Sequence, residues 1–143
     1  HLDRLGGNEW ISENIGDRFK RIAKMKEILL NIFHQTKPLC IAIESPFFNR
    51  FRPQAYGVLM EVMSGIREAV STYDLWMPPY LIDPSSVKNA VGAGGAARKE
   101  VVQAMILNLT DLNPIVDLRT LDEHSLDAIA VTYCRYKRLF GRM

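Results

Sequence analysis

The six residues LCIAIE, Leu39 to Glu44, constrain the fold more than any other stretch of this chain. They make a continuous apolar run of β-forming residues between Pro38 and Pro46, with no polar alternation until Glu44. A strand that is apolar on both faces is buried on both, the pattern of a central, parallel strand. Parallel strands cannot be joined by a tight turn; each needs a crossover, usually helical. The run therefore predicts an α/β chain and leaves Glu44 at the C-terminal end of a strand.

The flanking sequence agrees. From Ser12 to about Gln35 the apolar residues Ile15, Phe19, Ile22, Leu29 and Ile32 recur at helical spacing, and Thr36-Lys37-Pro38 ends that helix. Pro53 suits the first turn of a second helix with Val58, Leu59, Val62, Ile66 and Val70 on one face; Gly57 and Gly65 offer points of close packing. The stretch LWMPPYLI predicts a further short strand bordered by prolines. Asp83-Pro84 opens a short helix, the glycine-rich GAGG breaks it, and Val101, Val102, Met105, Ile106 and Leu109 mark the next helix. A last helix runs from about Asp122 to Phe140, with Thr120 and Glu123 spaced as a capping box. No internal repeat or dividing linker interrupts residues 1–143, so a single domain is expected. Two strands are few for so many helices, and a further N-terminal strand or hairpin is expected to be missing from this sequence.

At 143 residues, 48% hydrophobic and 24% charged, the chain has the mix of a globular domain able to build a core without disulfides. Cys40 and Cys134 have apolar neighbours and no CxxC partner, which predicts buried free thiols. No apolar run is long enough to span a bilayer, so no membrane partner is expected and the location is expected to be cytoplasmic or an organellar matrix. The net charge of +2 does not by itself point to nucleic acid, but the basic residues cluster: Arg18, Lys20, Arg21, Lys24 and Lys26; Arg50 and Arg52; Arg98 and Lys99; and the C-terminal tail. Such clusters suit phosphates, and equally suit an ordinary solvated helix face.

Three sites carry chemistry. A carboxylate that ends a buried strand either reaches water or takes a partner such as a metal, and Glu44 is followed by the adjacent aromatics Phe47 and Phe48. Those rings either fold back over the core or stand exposed as stacking platforms for bases. His124 and Asp127, three apart, project from one side of the last helix, where the N-terminal dipole favours a neutral imidazole and an ionised carboxylate. The small residues that follow Asp127 predict a close approach of this helix to the sheet, aiming Asp127 at the strand ends. Oxygen-rich sites of this kind suit Mg²⁺ or Mn²⁺ and two-metal phosphodiester hydrolysis. The third site is the GAGGAARKE loop, which lacks the strand context of a dinucleotide fingerprint and the Gly-Lys-Ser/Thr of a Walker loop. It remains either a helix–helix turn or a helix N-terminus carrying Arg98 and Lys99 toward a phosphate. No HExxH zinc motif and no GxSxG elbow occurs.

Together IAIESPFF, SVKNAVGAGGAARKEVVQAMI and HSLDAIAVTYC resemble the motifs of the RuvC-type Holliday junction resolvases of the RNase H-like superfamily, in the same order and over about Leu39 to Tyr133. The resemblance implies an α/β, RNase H-like mixed sheet of five strands with helices on both faces. It further implies a homodimer packed through the helix after the glutamate strand, and Mg²⁺-dependent nicking of four-way DNA junctions, with Mn²⁺ as a possible substitute. It maps catalytic and metal-binding roles to Glu44, His124 and Asp127, and DNA contacts to Phe47 or Phe48, Lys88, and Arg98 or Lys99. One departure stands out. The family's first acid, on an opening strand that ends in Asp-x-Gly, has no counterpart; Asp3 in HLDRLGG has the wrong neighbours. Flap- or fork-directed nucleases of the same superfamily, and a non-catalytic DNA-binding relative, are the alternatives.

Overall fold

The computed structural model of the chain describes residues 9–46, 53–112 and 114–141. They fall into two compact units, one of two long helices and one that holds the sheet. The order of elements is that expected from the sequence: α1 (Glu9–Thr36), β1 (Ala42–Glu44), α2 (Pro53–Tyr73), β2 (Tyr80–Ile82), α3 (Pro84–Ala90), α4 (Lys99–Leu107) and α5 (Glu123–Phe140).

In the first unit, α1 packs on α2 around Phe33, Ala69 and Val70, with Leu29, Leu30, Ile66 and Tyr73 beside them. Gly65 is the point of closest approach: a Cβ there would stand 2.7 Å from Ile22 Cγ2, so only glycine fits without movement of α1. Gly57, by contrast, meets open space and plays no part in the packing. Helix α1 ends where Lys37 takes a left-handed conformation, φ 48°, and donates its N–H to the Phe33 carbonyl. The basic cluster of α1 is engaged by carboxylates: Arg18 with Glu61 at 2.7 Å, Lys24 with Glu27 at 2.8 Å, Arg21 with Asp17, and Lys26 with Glu68. Arg21 and Lys24 are exposed, whereas Arg18 and Lys26 are half-buried in their pairs with α2.

In the second unit, β1 and β2 are parallel, in register Ala42 with Tyr80 and Glu44 with Ile82, and Ser45 N–H continues the ladder to the Ile82 carbonyl. The chain thus leaves β1, makes α2 and returns as the parallel neighbour, as expected. The strand is shorter and less covered than the apolar run predicted: Leu39 is 97% exposed, Ala42 and Ile43 are half-buried and Glu44 is exposed. Among the described residues the sheet has these two strands. The core beneath them comprises Ile82, Val87, Val91, Val102, Ile106, Leu126, Ala130, Val131, Tyr133 and Cys134. Cys134 is buried and free as expected, and burial pushes its thiol up; Cys40 is only half-buried. Helix α3 opens on Asp83, whose carboxylate accepts from Ser86 N–H and from the Ser85 and Ser86 hydroxyls.

Helix α5 does not start as the capping box predicted. Thr120 belongs to a preceding 3₁₀ turn, Leu118–Thr120, and its hydroxyl donates to the Asp117 carbonyl. Asp122 is the cap, accepting from Ser125 N–H at 2.8 Å. The reason is local: Asp122 stands two positions after Thr120 and accepts from the backbone N–H of Ser125, while the Thr120 hydroxyl is turned back to Asp117.

Candidate functional site

Side chains from four elements converge on a cavity of about 200 Å³ in the second unit. Its walls are Glu44 from the end of β1, Pro84, Val87 and Lys88 from α3, Lys99 and Val102 from α4, and Asp127, Ala130 and Val131 from α5. The local sequence explains each position. Glu44 lies where the apolar run stops, at the carboxyl end of a parallel strand, where open α/β sheets leave a crevice. Asp127 is about one turn into α5 because Leu126, Ala130 and Val131 bury the adjoining face, and the small side chain at Ala130 lets the helix sit against β1. The approach of α5 to the sheet expected from the small residues is therefore present, and it brings Glu44 and Asp127 into one cavity.

The basic side chains divide by partner. Lys88 donates to the Ala97 carbonyl at 2.8 Å, clasping the loop that carries Gly92 and Gly94 at φ 84° and 83°. Both glycines are in the left-handed region, which this turn requires and other residues resist. Lys99, the first residue of α4, places its ammonium 3.2 Å from Asp127 Oδ2 and 3.3 Å from Glu123 Oε2. Its hydrogen bond to Asp127, and more weakly that to Glu123, raises its pKa above the usual lysine value. Arg98 caps α4 with extended backbone, and its side chain is exposed. Glu123, assigned by sequence to capping, instead pairs with Lys99. The four-residue spacing of Glu123 and Asp127 puts both acids on one side of α5, but nothing in the local pattern names Lys99 as their shared partner.

His124 is not part of the cavity wall. Its side chain is 85% exposed, and Nε2 lies 3.7 Å from Glu123 Oε1. Phe47 and Phe48 fall outside the described residues. Arg135, on α5, stacks its guanidinium 3.4 Å above the Tyr80 ring and fixes the start of β2 to the helix.

The donors present fit a hard divalent cation. Glu44 and Asp127 offer carboxylate oxygens only, and Asp127 already accepts a cationic partner, the Lys99 ammonium. Among the described residues no group of three His, Cys, Asp or Glu side chains is close enough to form a cage. Two carboxylates, with water and substrate oxygens completing the shell, is the mode in which Mg²⁺ is commonly held.

A short parallel sheet with an acid at its carboxyl end and a second acid on a helix packed against it makes this an α/β protein with a two-carboxylate cavity, and comparison with known proteins assigns it the RNase H-like fold. The profile of the crossover junction endodeoxyribonuclease RuvC family matches residues 7–135. The chain is 33% identical over 116 residues to the crossover junction endodeoxyribonuclease RuvC of Thermosipho melanesiensis, covering 81% of this chain and 69% of that one. It is 27% identical over 122 residues to the protein of the same name from Thermus thermophilus, covering 84% and 69%. The structure of T. thermophilus RuvC in complex with Holliday junction substrate superposes with a TM-score of 0.66 at 26% identity, over 85% of this chain and 71% of that one. A second T. thermophilus RuvC structure gives a TM-score of 0.60. The chain belongs to the RuvC family.

Proposed function

We propose that this protein is a structure-specific endodeoxyribonuclease that resolves four-way DNA junctions by Mg²⁺-dependent phosphodiester hydrolysis, with Mn²⁺ as a working substitute. The observation that carries the reading is the joint presence of Glu44 and Asp127 in one cavity flanked by Lys88 and Lys99, in a chain of the RuvC family. A relative of this chain has been solved with a Holliday junction substrate, which supports the choice of DNA shape.

Glu44 and Asp127 would hold the metal, and His124, outside the cavity wall, would have to turn toward it to ligate the metal or position water. When bound, the metal supplies Lewis acidity, which makes water a stronger nucleophile and screens the charge that grows on the departing sugar oxygen. The protein's own part is placement. The carboxylates would hold the cation that offsets the negative charge of the reacting phosphate. Lys99 and Arg98, at the N-terminus of α4, present positive charge and backbone N–H groups to the phosphate chain. Lys88 holds the glycine loop, and so the start of α4, in the position that this contact needs. Phe47 and Phe48, immediately beyond Glu44, are placed in sequence to enter the junction and disturb stacking. Two such sites are needed to nick a junction symmetrically, and a homodimer would supply them; Val58 and Leu59 leave apolar surface exposed on α2, which favours such pairing.

The test compares nicking of a four-way junction, a flap and a linear duplex by the wild type and by Asp127→Asn. The expected result is cleavage of the junction alone, abolished in the variant while junction binding stays within a few-fold. Flap cleavage in preference to the junction would reassign the substrate. Binding without any cleavage by the wild type would make the protein a DNA-binding relative, and unaltered cleavage by the variant would remove Asp127 from the site.

A further inference from the structure

The contact between Lys99 and Asp127 joins two residues with different duties. Asp127 faces the cavity that it shares with Glu44, and Lys99 begins α4, the helix to which the proposed function gives the phosphate contact. The ammonium does not merely pass near the acid. It bridges two carboxylates one helical turn apart, Asp127 Oδ2 at 3.2 Å and Glu123 Oε2 at 3.3 Å, and so has a second acid to rest on if the first is withdrawn. Glu123 does not line the cavity, so the bridge has one end inside the site and one end outside it.

A carboxylate oxygen held by an ammonium at this distance is not equally open to a divalent cation, since the two cations repel across a shared ligand. The lysine is also the part able to move: its stem is flexible, its side chain is 43% exposed, and Glu123 is within reach on the outer side. Asp127 is fixed by a helix packed in the core.

We propose that Lys99 is a built-in competitor for the metal site: its ammonium holds Asp127 until a divalent cation displaces it, and the displaced side chain shifts to Glu123 and to the DNA phosphate. The inference rests on the reading of Asp127 as a metal ligand. It couples the two ligands of the enzyme. Phosphate that draws Lys99 outward frees Asp127 for the cation, and the cation that takes Asp127 frees Lys99 for phosphate, so each ligand raises the affinity for the other. The same device keeps the carboxylates neutralised before either arrives.

The test measures Mn²⁺ binding to DNA-free protein at low ionic strength by electron paramagnetic resonance, for the wild type, Lys99→Gln, Lys99→Arg and Asp127→Asn. Removal of the competing charge in Lys99→Gln is expected to tighten Mn²⁺ binding about fivefold, as befits a partly exposed ion pair, with Lys99→Arg close to wild type. A second readout follows the Lys99 ammonium by nitrogen NMR, assigned by its loss in Lys99→Gln; its resonance is expected to move as Mg²⁺ is added to the wild type. Unchanged or weaker Mn²⁺ binding in Lys99→Gln, or a Lys99 resonance indifferent to Mg²⁺, overturns the proposal. Asp127→Asn separates the two readings: if it binds Mn²⁺ as the wild type does, Asp127 is not a ligand and the site reading itself fails.

Discussion

Lys88 illustrates what a single residue can conceal. Its place before a glycine loop and a basic helix start marks it for phosphate, yet its ammonium is committed to the Ala97 carbonyl across the whole loop. A hydrogen bond from a charged donor is worth about 1.5–3 kcal/mol, enough to decide whether a loop with two left-handed glycines holds one shape. In Lys88→Met the Ala97 amide, which donates to Gly94, is therefore expected to exchange with solvent about tenfold faster or more, as read by hydrogen exchange, while the core amides of α5 are unaffected. Equal protection in the variant would mean that the glycine turn is self-supporting. Tyr133 is similarly committed: burial, and then its hydrogen bond to Asp111 at 2.7 Å, push its hydroxyl up to about 12, so it serves as a fixed donor at neutral pH.

At the scale of the element, α5 does most to make the site. It opens on the cap Asp122, carries Glu123 in its first turn and Asp127 one turn further on, and its buried face sets their distance from the sheet. The backbone hydrogen bond from Ser125 holds the Asp122 carboxyl below the usual carboxylate range. A group held low in the folded protein stays ionised while the unfolded chain already takes up a proton. Its stabilisation is thus complete above the ordinary carboxylate pKa and is lost as the pH falls through the lowered one. Thermal melts of wild type and Asp122→Ala are expected to differ at pH 7, with the variant melting lower, and the gap is expected to narrow progressively as the pH falls below about 4. A gap that persists in acid would show that the cap acts other than through its charge. Asp83, held low chiefly by the Ser85 and Ser86 hydroxyls, adds to the same acid lability at α3.

At the scale of the whole molecule, the described basic residues of the two units have different partners. On α1, Arg18, Arg21, Lys24 and Lys26 pair with carboxylates of α1 and α2, and the exposed pairs among them, Arg21 with Asp17 and Lys24 with Glu27, contribute little, about 0–1 kcal/mol each. The basic side chains at the cavity are Lys88, Lys99 and, beside it, Arg98. Assembly is the property that the proposed two-strand nicking needs. Sedimentation equilibrium at micromolar concentration is expected to give twice the chain mass, and a monomer there would argue against symmetrical resolution. The α/β order and the positions of Glu44 and Asp127 were legible because both depend on local pattern: an apolar run that stops, and small residues at helical spacing. The cap of α5, the idle Gly57 and the pairing of Lys99 were not, because each turns on which of several near-equal partners is nearest in space.

By itself, then, the sequence determined the type and order of the elements, since burial periodicity and turn chemistry are properties of neighbouring residues. It also determined which acids stand at element ends. Only the tertiary structure decided what those charged groups do. Lys99 could have met solvent, phosphate or any of several acids. The packing of Ala130 and Val131 brings Asp127 and Glu123 to it, and an ion pair between residues 24 and 28 positions apart is fixed by the path of the chain, not by its local pattern.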